Sequence, residues 1–228
     1  MSERVHRAEA VEDPRPQEAR RERVSLRAEL GAAAEPDFAL TLPRGWARTA
    51  VDEAAEAMLA KQLRQRMMQA GRPDIEVAVR RMLRESFAAM RGNGAVAAFM
   101  PLDSSGDGLF VPASIIAVIR RGTAESPIDA YAQFAIRQYG AEPLMGDTRT
   151  MRFETESEQE VEGEQVVIST THYLTPVPGT RRRRALELMA TYGRPQHLSR
   201  EAENPRALHA LFDMCASTLR WVRPEGDH

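Results

Sequence analysis

The feature that most constrains this chain is a run of two-residue hydrophobic alternation in its second half. Leu186, Leu188, Ala190 and Tyr192 alternate with Ala185, Glu187, Met189 and Thr191. Residues 148–157 and 166–175 are patterned in the same way. A period of two sends successive side chains to opposite faces of a strand. Three such segments with no helical pattern between them favour an antiparallel sheet with helices packed against it.

The order expected along the chain is strand, two helices, two strands, helix, three strands, helix. Phe38, Leu40 and Leu42 alternate as a first strand, which Pro43, Arg44, Gly45 and Trp46 turn, with Trp46 capping the core. Asp52 is placed to N-cap a helix with Glu53 and Glu56 in its first turn. That helix is expected to run to about Ala70 and to stop at Gly71, Arg72 and Pro73. Asp74 starts a second helix whose stripe is Ile75, Val79, Met82, Leu83, Phe87 and Met90, so the pair reads as an αα-hairpin. Strands follow at 95–102 and 114–121. Pro127 then opens a helix that carries Ile128, Tyr131, Phe134, Ala135 and Ile136 inward and ends at Gly140. Residues 148–157 and 166–175 form a hairpin, 184–192 the next strand, and 193–200 a loop. The last helix is expected to be capped by Asn204, with Pro205 at its first position and Leu208, Leu211, Phe212, Cys215, Leu219 and Val222 on its buried face.

The predicted fold class is therefore α+β: an antiparallel β-sheet with packed helices and an inserted αα-hairpin. Residues 1–36 lack an aromatic residue and are rich in Arg, Glu, Ala and Pro, which predicts a disordered arm, with a short helix over 20–30 as an alternative on a partner. Residues 37–223 are expected to form a single domain and 224–228 a disordered tail. Hydrophobic residues make up 43% of the 228, enough for a core of that size.

Charge narrows the function. The formal net charge is −2, from 31 basic and 33 acidic residues, without the basic field of a nucleic-acid binder. Lys61 is the sole lysine, a pattern that fits GC-rich coding. No apolar run has the length of a membrane span, and the first thirty residues have no apolar signal core, so the expected location is cytoplasmic. Cys215 is a lone thiol on an apolar helix face and reads as structural.

The common catalytic and nucleotide-binding signatures are absent, so no catalytic, cofactor-binding or metal site is assigned. His6, His172, His197, His209 and His228 lie on separate segments. The stretch 103–108 resembles the start of a calcium loop, but Ser114 stands where such a loop needs its twelfth-position glutamate. The most unusual feature is an acidic ridge. Glu154, Glu156, Glu158, Glu160, Glu162 and Glu164 all fall on even positions and would share one face of a strand. Arg181, Arg182, Arg183 and Arg184 follow a short way on. These ten residues are read either as two runs that neutralise each other across the sheet or as a docking surface for a protein partner.

Leu42-Pro43-Arg44-Gly45-Trp46, the αα-hairpin, Gly94-Ala95-Val96, Val111-Pro112-Ala113-Ser114 and the terminal Leu211-Phe212 with Leu219-Arg220-Trp221 carry a resemblance. From Phe38 onward the chain resembles a family of uncharacterised actinobacterial proteins, and its layout is similar to the PsbP-like fold. That resemblance implies a sheet with flanking helices and a binding or chaperone role, in some relatives beside a bacterial secretion system; it transfers no catalytic residue. The functional expectation is a non-enzymatic protein-binding accessory module, with self-association as a further form. The alternative is a small hydrolase using His172 with acidic neighbours.

Overall fold

A computed structural model describes residues 36–69, 71, 76–101, 113–123, 127–161 and 164–222. The predicted N-terminal arm, the Asp74 cap, the loop at 103–108, Glu162 and the C-terminal tail lie outside the described residues. The chain divides into two units. One is Phe38–Trp221; of the other, only residues 36, 37 and 222 are described.

Seven strands form the main sheet: β2 (Trp46–Thr49), β3 (Ala95–Pro101), β4 (Ala113–Arg121), β5 (Glu142–Leu144), β6 (Asp147–Val161), β7 (Glu164–Pro176) and β8 (Arg184–Pro195). Their order is β2-β3-β4-β8-β7-β6-β5, and every neighbouring pair is antiparallel. A separate pair joins β1 (Asp37–Ala39) to β9 (Arg220–Val222). Helices α1 (Glu53–Gln69) and α2 (Glu76–Gly92) are inserted between β2 and β3. Helix α3 (Ile128–Tyr139) follows β4, and α4 (Glu203–Ser217) follows β8. The protein is thus α+β with an antiparallel sheet, as the alternation predicts.

Alternation decides what each sheet face covers. Phe99, Ile115, Ala117, Tyr173, Leu186, Leu188, Ala190 and Tyr192 point to one face and bury Phe212, Cys215 and Ala216 of α4. The residues between them point the other way. Ala98 packs with Val51 and Phe87 under the α1–α2 hairpin, and Leu174 and Ala185 pack with Ile128 under α3. Phe87 and Phe212 are both fully buried, one on each side of the sheet.

Local chemistry sets the element ends. Asp52 caps α1 through its carboxylate, which accepts from the Ala55 N–H at 2.8 Å. Gly45 sits at φ 83° as the third residue of a turn closed by the Trp46 N–H on the Pro43 carbonyl at 3.1 Å. Gly140, at φ 64°, ends α3, its N–H bonding the Ile136 carbonyl.

Several boundaries differ from the prediction, each for a physical reason. Trp46 is buried but begins β2, a strand too short for its period to register in the sequence. In α3 only Ile128, Tyr131, Ala132 and Ala135 share the face toward the sheet, so Phe134 and Ile136 lie to either side and are exposed. Met82, assigned to the inward stripe of α2, is likewise exposed. Strand β8 continues through Gly193 to Pro195 because Tyr192 and Arg194 keep the inward alternation, so 193–195 are not loop. Strands β6 and β7 extend beyond the expected 148–157 and 166–175, β6 to Val161 and β7 from Glu164. Helix α4 is preceded by Ala202 rather than capped by Asn204, and Pro205 occupies the third helical position, where a backbone N–H has no helical partner to lose. The helix ends at Ser217, so Leu219 and Val222 belong to the segment after it, and Val222 is exposed.

Candidate functional site

Each face of the sheet carries a histidine held between a glutamate and a hydroxyl. On the α3 side, Glu187 of β8 is fully buried. Its carboxylate accepts from the Tyr131 hydroxyl at 2.9 Å, pairs with Arg120 of β4, and contacts His172 Nδ1 of β7 at 2.9 Å. A carboxylate only accepts, so Nδ1 carries the proton. His172 Nε2 in turn meets the Thr155 hydroxyl of β6 at 2.9 Å. The register makes this chain possible: His172 faces Phe153 on one side and Met189 on the other, and Phe153 stacks flat on its ring at 4.5 Å between centroids. Burial pushes the Glu187 carboxyl upward, but the hydrogen bonds from His172 and Arg120 outweigh it and hold the group below its usual range. Burial and then the Glu187 charge push Tyr131 well above the ordinary phenol value.

On the α4 side, Glu154 of β6 contacts His209 Nδ1 at 3.1 Å and Arg200 at 2.9 Å, and accepts from Arg152. His209 Nε2 meets the Tyr192 hydroxyl at 2.9 Å. Arg152 also donates to Asp213 of α4 at 2.8 Å, which accepts from the buried Tyr173 hydroxyl at 2.7 Å. Glu156 accepts from Arg194 and from Ser169, both at 2.9 Å. The His209 hydrogen bond, helped by Arg152 and opposed by burial, lowers the Glu154 carboxyl to about 2. These pairs fasten α4 and the 196–202 connection to the sheet.

The acidic ridge is therefore not one surface. Glu154 and Glu156 are members of this network, paired with Arg152, Arg194, Arg200 and His209 rather than with the arginine run. Glu158 and Glu160 continue the same face of β6 out to an exposed end opposite Val167 and Gln165, and Glu164 opens β7 opposite Val161. Arg181, Arg182 and Arg183 occupy the connection at the other end of β7, and Arg184 pairs with Arg121 at the start of β8. Twelve steps of extended strand, about 40 Å at ~3.3 Å each, separate Glu164 from Pro176. The two runs lie at opposite ends of one hairpin, so they do not neutralise each other, and together they do not make one patch.

The sequence flagged His172 but not its partners. Glu187 was read as one position in a strand pattern, although a lone glutamate among Ala185, Leu186, Leu188 and Met189 was a signal in itself: a charge on a buried strand has to be paired.

Among the described residues no group of three His, Cys, Asp or Glu side chains has metal-binding geometry, and no helix is long and apolar enough to cross a membrane. An apolar cavity of about 410 Å³ lies on the α2 side of the sheet, where Leu83, Phe87 and Met90 face Ile116, Val118 and Met189. The His172 chain lines none of the described cavities.

No family model and no curated protein matches the chain. Two solved structures are distantly similar. A Bacteroides thetaiotaomicron protein aligns at 14% identity and a TM-score of 0.40, over 83% of this chain and 46% of its own length, so the chain spans a little under half of it. The cyanobacterial PsbP (CyanoP) from Synechocystis aligns at 10% identity and a TM-score of 0.31, over 84% of this chain and 95% of that one. At these scores neither likeness bears on function, and the α+β architecture stands on its own strand pairing.

Proposed function

We propose that this chain is a non-enzymatic protein-binding accessory module, chaperone-like in kind, which receives an apolar segment of an acidic partner between α2 and the sheet. The observation that carries this is the open apolar cavity floored by Ile116, Val118 and Met189 and walled by Phe87 and Met90. A well-formed apolar concavity is the ordinary place for a ligand to dock. The helical hairpin as a whole supplies the sign of the partner. The two hairpin helices hold seven basic residues against four acidic ones, and Met58, Met68 and Met82 are exposed on them. Methionine adapts to irregular partner side chains, and the excess of basic residues on the hairpin favours an acidic partner. The narrower role, a chaperone beside a bacterial secretion system, follows from the sequence resemblance alone.

A photo-crosslinking residue at Ser86, which is exposed and lines the cavity, tests the reading in the native cell. The expected result is one discrete protein adduct, lost when Met189→Lys fills the floor with charge. An adduct from Glu158 in place of Ser86 would move docking to the acidic end of the hairpin. A lone monomer with no adduct from either position would overturn the proposal.

A second reading has one observation in its favour. Thr155, His172 and Glu187 are linked in the order hydroxyl, imidazole, carboxylate, which is the arrangement that activates a nucleophile in acyl transfer. Hydrolysis of p-nitrophenyl acetate that Thr155→Val and His172→Ala abolish alike would replace the binding reading with this one.

A further inference from the structure

The cavity at the other end of the sheet, remote from α2, is chemically different. It measures about 570 Å³, within the range of small-ligand sites. Leu219 and Trp221 give it an apolar wall, Thr148 and Ser217 bring hydroxyls, Arg149 and Arg182 bring guanidinium groups, and Asp147 brings one carboxylate. A smaller cavity of about 150 Å³ shares Thr148, Arg149 and Arg182, so the two arginines stand where both cavities meet.

The way these arginines are held is the telling part. Asp147 meets the exposed Arg149 through two parallel contacts of 3.0 Å, which orient its guanidinium while balancing its charge. Arg182 has no such partner among the described residues. It sits in a turn closed by the Arg183 N–H on the Thr180 carbonyl at 3.0 Å, and both central residues are left-handed, Arg181 at φ 50° and Arg182 at φ 60°. Such a turn strongly prefers Asn and Gly. Two arginines there cost the fold stability, and strain of this sort gathers at ligand sites.

We propose that this cavity binds a small organic anion: a phosphate, sulfonate or carboxylate at Arg182 and Arg149, with an apolar or ring-shaped body against Leu219 and Trp221. Arg182 supplies the uncompensated charge and Arg149 a pre-oriented donor. The site is independent of the docking groove proposed above.

The test uses the full chain with 1-anilinonaphthalene-8-sulfonate, an aromatic sulfonate whose fluorescence rises on binding. Saturable one-to-one binding is expected, displaced by excess pyrophosphate. Arg182→Gln should weaken it about tenfold or more, the worth of a charge-assisted contact. Ser217→Phe, on an exposed position that lines the cavity, should block it by occlusion. Neutral N-phenyl-1-naphthylamine should bind at least as weakly as the sulfonate binds Arg182→Gln. Unchanged circular dichroism in both variants ties these losses to the site. No binding to the wild-type chain, binding that Arg182→Gln and Ser217→Phe leave intact, or equal affinity for the neutral dye would each overturn the proposal.

Discussion

Buried charge on a strand is the residue-scale fact from which most of this molecule's behaviour follows. Glu187 has no exposed surface and three partners on three different elements. Replacing it by alanine strands Arg120, and we expect a loss of about 3–5 kcal/mol, the usual result of removing one side of a buried pair, read as a fall in the urea midpoint. Glu158→Ala, at the exposed end of β6, should stay within about 0.5 kcal/mol of wild type. Glu154 makes a different prediction, because its carboxyl is held at about 2 against an ordinary 4.5. Between those values the unfolded chain takes up a proton that the folded chain refuses. The contribution of Glu154 is therefore fully present above about pH 4.5 and disappears as the pH falls toward 2. Some solvent still reaches the group, which reduces the effect to roughly 1–2 kcal/mol. Glu154→Gln should flatten acid unfolding curves in that window and leave the neutral-pH slope unchanged. The sequence made the even-numbered glutamates visible but not their partners. Arg152 lies two residues away, while Arg194, Arg200 and His209 reach Glu154 and Glu156 only because β8 and α4 fold back across the sheet.

At the scale of elements, periodic segments were legible and short or conflicted ones were not. The two hairpin helices, β3, β4 and β8 announced themselves through alternation or caps such as Asp52. Strands β2, β5 and β9, of three or four residues each, span too few side chains for a period to show. Gly193 misled in the other direction: it reads as a breaker, yet it sits in β8 opposite Ile168, with Val166 and Ile168 side chains just beyond the place of its missing Cβ. The connection between β7 and β8 is where local preference and observed geometry disagree most. Its left-handed Arg181 and Arg182 leave stability unclaimed, so Arg181→Asn with Arg182→Gly should raise the unfolding free energy by about 1–2 kcal/mol. Thermal denaturation checks the gain, and a drop in melting temperature would show that the arginines are not strained there.

For the unit Phe38–Trp221 the governing feature is that one sheet serves two hydrophobic layers. Strand β3 sends Ala97 and Phe99 to the α4 layer and Ala98 to the hairpin layer, and β8 sends Leu186 to the first and Ala185 to the α3 cluster. This division follows from period two and was readable in the sequence. Which helix covers which face was not, because it depends on contacts between residues far apart in the chain. Since the same strands support both layers, neither layer can lose its packing without loosening the floor of the other. We therefore expect a single calorimetric transition. Phe87→Ala and Phe212→Ala, each emptying a fully buried aromatic site, should each lower stability by about 3–5 kcal/mol. The two residues lie in separate clusters on opposite faces, so in the double variant the losses should add to within about 0.5 kcal/mol. Two resolved transitions, with Phe87→Ala moving one and Phe212→Ala the other, would mean that the helical hairpin folds on its own and that the sheet does not bind the layers into one cooperative body.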